Sequence, residues 1–271
     1  MAKVDVKRRD DQFSDKVETA IWKEKPSQDN PFHAEEARCF GYDHLALVNK
    51  KSFAEVFFLL FRGELPDEAQ KTLFESLLIS VIHPGPRHVA SRAAMNAAVS
   101  KTHVSHILPL SMNVMAGEWQ GSREVFQAMK FLSRNLQSKP EVCAQDRISA
   151  LAGADREGDQ TVAPGFGSSY GTADTYAQKL ADNLFAHCVT GESMQWARRF
   201  VTSIHDAGAG WRVTGLFAAA LCDLGFTPYQ GELLYQIATA PGIAAQAAEK
   251  SDQPITAMPF VSDQNYTIEG E

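Results

Sequence analysis

The sequence predicts an all-α fold. Apolar residues recur at helical spacing of three and four along most of the chain. Helix-start and helix-stop residues punctuate those stretches. No alternating run of β-branched residues occurs anywhere. With 271 residues and 44% hydrophobic content, the chain can bury a core without disulfide or metal staples.

Residues 1–35 are polar and broken by Pro26, Asn30 and Pro31, so they read as an arm with one short helix, with order beginning near Gly41. Ser52 to Arg62 is a helix. Ser52 and Glu55 form a capping box, Phe53, Val56, Phe57 and Leu60 share one apolar face, and Gly63 ends it. Leu65-Pro66-Asp67-Glu68 starts a second helix with acids at its positive end and a stripe of Leu73, Leu77, Leu78 and Val81. After the loop Pro84-Gly85-Pro86, helices follow over roughly 89–100, 103–116 and 122–137. Residues 138–164, with Gly153, Gly158 and Pro164, are the candidate domain boundary, with room for a helical turn at 148–154. Further helices are expected near 173–187, 192–205, 213–224 and 228–238, with a last one from Pro241 to about Lys250.

The formal net charge of −7 argues against nucleic acid or an anionic membrane as partner. The polar start has no apolar run of the signal-peptide kind, and no stretch approaches the ~20 apolar residues a spanning helix needs. The expectation is a cytoplasmic protein. Cys39, Cys143, Cys188 and Cys222 form no CxxC pair and read as reduced thiols. His103 and His106 share a helix face but have no third ligand nearby in sequence, so no metal is expected.

The order of short motifs resembles the citrate synthase family. Gly41-Tyr42-Asp43, Ser52-Phe53-Ala54-Glu55-Val56, Leu59-Leu60 and Gly63-Glu64-Leu65-Pro66 follow the family's opening. Residues 111–117, Pro164-Gly165-Phe166-Gly167, Arg212-Val213-Thr214-Gly215-Leu216, Leu224-Gly225-Phe226 and the segment from Ala240 to Glu249 follow its later parts. In length and closing segment the chain looks most similar to citryl-CoA lyase and the C-terminal part of ATP-citrate lyase. The resemblance implies a large helical domain (41–150 and 239–271), a small one (151–238) and an arm (1–40). It also implies a homodimer, and CoA or an acyl-CoA as co-substrate beside a small acid.

The residues that the family uses for chemistry are replaced. Gln120 stands where the resemblance puts the histidine that polarises the thioester carbonyl; its amide donates a hydrogen bond but shuttles no proton. Ser168 and Ser169 replace a His-Arg pair, with the Tyr170 hydroxyl nearby. Thr214 replaces the aspartate base, and a threonine hydroxyl is far too weak a base for that task. Thr239, Gln246 and Met258 stand at an arginine, a histidine and an arginine position. His83 and His88 both lie near the slot of the acid-binding histidine, and His205-Asp206 borders the later motif strip or caps a helix end. Trp119 and Trp211 flank the altered positions, with core packing as their default role.

The catalytic candidates are therefore Gln120, Ser168 and Thr214. The substrate-binding candidates are His83, His88, Ser169, Tyr170, His205 and Thr239, and Gly165-Phe166-Gly167 is the loop expected beside CoA. The expected function is to act on or bind an acyl-CoA thioester and a small acid, in acyltransferase- or lyase-type chemistry. The alternative is a catalytically inactive protein that binds a metabolite or a partner.

Overall fold

The computed structural model describes residues 13–151 and 160–269. The first twelve residues of the expected arm, and Gly153, Ala154 and Gly158 of the expected boundary, lie outside them. Eleven α-helices dominate the described residues, and the class is helical as predicted. The chain divides into two compact units, Met1–Leu65 and Pro66–Glu271.

In the first unit the expected short helix is replaced by strands. β1 (Trp22–Pro26) pairs antiparallel with β2 (Ala34–Cys39), which pairs with β3 (Tyr42–Asp43). The residues WKEKP and AEEARC carry no apolar alternation because both faces of these strands are exposed, apart from Cys39 at the end of β2 and the half-buried Ala37. Charge complementarity supports the pairing: Lys25 bonds Glu36 across the strands at 3.2 Å. α1 (His44–Lys50) follows, capped by Asp43, whose side chain accepts from the Ala46 N–H.

α2 (Phe53–Arg62) has the expected capping box: the Glu55 N–H donates to Ser52 Oγ, and the Ser52 N–H donates to Glu55 Oε2 at 2.9 Å. Gly63 ends it at φ +78°. Its buried residues are Ala54, Glu55, Phe57, Phe58 and Leu59, so the expected face is rotated and Phe53 lies exposed. Leu59 meets Cys39 and Leu47, with Phe40, Val56 and Leu65 packed around them.

The second unit runs α3 (Glu68–Ser80), α4 (Val89–Val99), α5 (Val104–Met115), α6 (Ser122–Asn135), α7 (Pro140–Leu151), α8 (Thr175–His187), α9 (Glu192–Ile204), α10 (Val213–Asp223) and α11 (Pro228–Lys250). α6 packs on α10 and α11, α4 on α5 and α11, and α9 on α7 and α10. α7 occupies much of the expected boundary and is an addition to the predicted elements. A second small sheet, β4 (Thr161–Ala163), β5 (Phe166–Gly167) and β6 (Gly210–Trp211), joins the middle of the chain to the start of α10. Phe166 and Trp211 pack there with Phe131 and Phe200, ring centroids 5.2–6.2 Å apart.

The two helices expected on either side of Ala238 are one 23-residue helix containing Pro241. Proline would normally break such a run, because it has no N–H and its ring crowds the preceding turn. At this point α11 leans on the loop after α3: the Gly242 N–H donates to Ile82 O at 3.0 Å. A Cβ on Gly242 would collide with that same carbonyl, so glycine is needed for the approach. The consequence is local, for it sets His83 beside Gln246.

All four cysteines are free thiols. No helix among the described residues is long and apolar enough to cross a membrane.

Candidate ligand cavity

A cavity of about 590 Å³ opens in the second unit. Its wall comes from the loop before α4, the turn before α6, a hairpin at 169–172, and the starts of α8 and α10. Its volume lies within the range of roughly 300–1,000 Å³ usual for small-ligand pockets.

The floor is organised by a carboxylate that sequence inspection passes over. Glu124 sits in the first turn of α6 and its side chain is 3% exposed. Arg212, equally buried, donates Nη1–H to Glu124 Oε1 at 2.7 Å, and the Gly165 N–H adds a bond at 3.2 Å. Thr214 donates Oγ1–H to Glu124 Oε2 at 2.8 Å, and the Gln120 N–H adds another at 3.1 Å. Four donors thus take up the acceptor capacity of one carboxylate, which makes Glu124 a tie rather than a free base. Arg212 also donates to Thr161 Oγ1 and Ser168 O, while its buried Nε–H finds no protein acceptor.

Gln120 stands over this floor at φ +51°, an uncommon backbone state for a side-chain-bearing residue. It is held from three sides. Its N–H goes to Glu124, its carbonyl accepts from His88 Nε2 at 3.3 Å, and its Nε2–H donates to Ser169 Oγ at 2.9 Å. Ser169 and Thr172 bridge a tight turn whose central residues, Tyr170 and Gly171, both have positive φ. That turn lifts the exposed Tyr170 against Trp119, edge to face at 6.1 Å.

The two histidines share one tautomer. The Gly85 N–H donates to His83 Nδ1 at 2.8 Å, so Nε2 carries the proton and donates to Gln246 Oε1 at 3.1 Å. The Ala90 N–H donates to His88 Nδ1, capping α4, so its Nε2 carries the proton toward Gln120 O. Burial holds His88 below the usual histidine pKa, so it stays neutral at physiological pH. In both rings the lone pair that would act as a base is occupied by a backbone amide.

The structure therefore brings together His83, His88, Gln120, Ser169, Tyr170 and Thr214 of the sequence-derived candidates. The others stand elsewhere. Ser168 is buried behind the wall, its Oγ accepting from the Gln160 N–H. Thr239 is fully buried in α11 with its hydroxyl on Tyr235 O. His205 is exposed, 3.9 Å from Asp206, and does not line the cavity. Gly165-Phe166-Gly167 lies in the core: Phe166 packs among aromatic rings, and Gly165 lies against Gly215 so closely that a Cβ on either would clash. Trp211 is core and Trp119 lines the cavity. Glu124, Arg212, Arg87 and Asp174 were not singled out for the site. The only trace of Glu124 in sequence is its place three residues after Gly121, the helix-start position that a capping acid takes.

Among the described residues no three His, Cys, Asp or Glu side chains form a group suited to a metal ion.

No protein-family model and no curated protein sequence matches the chain. Solved structures do. Citryl-CoA lyase from Hydrogenobacter thermophilus matches with TM-score 0.73 at 22% identity, over 94% of this chain and 95% of that one. ATP citrate lyase from Methanosaeta concilii, a D541A mutant in complex with (3S)-citryl-CoA, gives 0.67 at 14% identity, over 94% of this chain and 43% of that one. Citrate synthase from Thermotoga maritima gives 0.62 at 18%, over 81% and 59%. The chain spans less than two thirds of the latter two proteins but nearly all of the first. The chain shares the helical fold of these citryl-CoA lyase, ATP citrate lyase and citrate synthase structures.

Proposed function

We propose that the chain binds an acyl-CoA thioester and a small acid in this cavity, and that the groups lining it do not remove an α-proton. The observation that carries this reading is the occupation of both histidine lone pairs by backbone amides, beside a Thr214 hydroxyl already donated to Glu124. What remains on offer is donors. The second N–H of the Gln120 amide and the Ser169 hydroxyl proton are uncommitted among the described contacts, and they suit a thioester carbonyl oxygen. The shared fold supports the ligand class, since one structural neighbour carries citryl-CoA and another, an ATP citrate lyase from Methanothrix soehngenii, carries citrate and coenzyme A.

A second reading, acyltransferase or lyase activity, is favoured by one feature. Asp174 lines the cavity and caps α8 through Oδ1, and its second oxygen, without a hydrogen-bond partner among the described residues, is a candidate base. The assembly in either case is proposed to be a homodimer. The exposed apolar residues Val104, Leu108 and Leu110 on α5 suit such burial, and sedimentation will test it.

Titration with acetyl-CoA tests the main reading. Binding raises apparent stability by about 2.7 kcal/mol at a hundred-fold excess over Kd. No shift with acetyl-CoA or CoA refutes thioester binding. Given binding, loss of deuterium from methyl-labelled acetyl-CoA into water separates the readings: retention supports binding alone, and washout supports the enzyme.

A further inference from the structure

We propose that the acid taken by this cavity carries a single negative charge, held by Arg87, and that Asp174 excludes acids with two or three. The inference deepens the functional proposal and rests on the cavity being the ligand site. It comes from the charged groups of the lining, which are few. Arg212 is neutralised at 2.7 Å by Glu124. Arg87 is exposed at the rim and has no ion pair or hydrogen bond among the described residues. Asp174 is the lining carboxylate, and its Oδ2 has no hydrogen-bonded partner among them either. His88 is held neutral by burial, which outweighs the opposing effect of its bond to Gln120 O.

The helix ends agree with this inventory. α4, α6, α8 and α10 all start at the cavity, and each start carries partial positive charge. Glu124 lies within the first turn of α6 and accepts from Thr214 at the start of α10. Asp174 caps α8. α10 has no acid of its own but receives Glu124, whereas α4 has none of its own and none bonded to its start among the described residues: its cap is the neutral His88, and the residue before that cap is Arg87. The uncompensated positive end and the uncompensated cation therefore coincide in one place. A carboxylate there gains a guanidinium fork and a helix start together. A second carboxylate on the same ligand would find no cation and would meet Asp174. A second cavity, between α5 and α11, offers no competing anion site, because its lysine, Lys101, is spent on Ser251 O and Gln253 O.

The test uses the full chain and a matched pair of acids, succinate and its monomethyl ester, followed by calorimetry. The monoester is expected to bind at least about ten-fold more tightly than succinate. Arg87→Gln is expected to weaken the monoester about ten-fold or more while leaving the melting temperature unchanged, since the side chain is exposed. Asp174→Asn keeps the α8 cap, as asparagine caps well, and is expected to shrink the preference to less than about three-fold. Succinate binding as tightly as the ester, no binding of either acid, or an Arg87→Gln protein that binds the ester like wild type would each overturn the proposal. Acetyl-CoA is titrated separately in the same samples. Thioester binding without charge discrimination would sink this inference and leave the functional proposal standing, whereas discrimination without thioester binding would do the reverse.

Discussion

Glu124→Gln is the substitution that most directly tests how the cavity is built. Glutamine keeps the shape and one carbonyl acceptor but loses the charge. In the wild-type protein the pair with Arg212 is 2.7 Å long and both side chains are 3% exposed, so neither charge has bulk water to fall back on. Removing one partner of such a pair costs about 3–5 kcal/mol, because the remaining charge stays buried and unpaired. The glutamine NH₂ must also face donors where the carboxylate had two oxygens accepting from Arg212, Gly165, Gln120 and Thr214. At least one of those bonds is lost, worth about 1 kcal/mol or more when buried. The expected total is about 4–6 kcal/mol, a large part of the 5–15 kcal/mol that holds typical domains folded. Arg212→Met alone is expected to cost a similar amount by stranding the carboxylate. The double variant removes both charges and is expected to recover at least about 2 kcal/mol relative to the sum of the singles. Urea unfolding followed by circular dichroism provides the numbers, with the slope m checked for constancy across the four proteins. Additivity to within about 0.5 kcal/mol would refute the claim that Glu124 and Arg212 work as one buried tie.

Other predictions concern caps and acid sensitivity. Asp223→Ala is expected to destabilise by about 1–2 kcal/mol in the same assay, because Asp223 accepts from the Gly191, Ser193 and Met194 N–H groups and caps α9 in place of a side chain on Gly191. For Glu55, the bond to Lys51 and then the Ser52 amide bring the carboxyl down to about 2. A depressed carboxylate pKa stabilises the fold above its ordinary value of 4.5, and that stability is lost as pH falls from 4.5 toward 2. Glu55→Gln should therefore flatten the stability profile in that window; an unchanged slope would contradict it. His88, held neutral by burial, also has a depressed folded-state pKa. Its contribution is present above 6.5 and fades as pH drops through that value, because the unfolded chain takes up the proton first. His88→Gln should remove this step from the melting-temperature profile between neutral pH and pH 5.

The contrast between Ser52 and Glu124 explains how much the sequence discloses. The Ser52–Glu55 capping box spans three residues, so both partners and their geometry are visible in one turn of text. The strands at 22–39 escaped because strand recognition depends on one buried face, and a ribbon held by Lys25–Glu36 pairs with both faces wet has no such signature. α7 escaped for a related reason: it buries only Pro140, Cys143 and Ala144, too few to mark a stripe. The fold-level motifs survived because they encode close backbone approach. Gly165 and Gly215 exclude any side chain between the β4–β5 turn and α10, and that is a property of the scaffold rather than of a ligand. In the same loop Phe166 fills the core and the hydroxyl of Ser168 accepts from the Gln160 backbone amide, so both side chains serve the scaffold. The true floor joins positions 88 and 90 residues apart, Glu124 with Arg212 and Thr214. In sequence Glu124 is one more acid in the first turn of a helix, and only its three-dimensional partners distinguish it. Thr214 and Glu124 therefore act together: the hydroxyl serves as a donor that locks the floor, in a position where an aspartate would be repelled by Glu124. Thr214→Asp alone is accordingly expected to destabilise the protein by a few kcal/mol and to restore no proton exchange, and its pairing with Glu124→Gln is expected to recover stability.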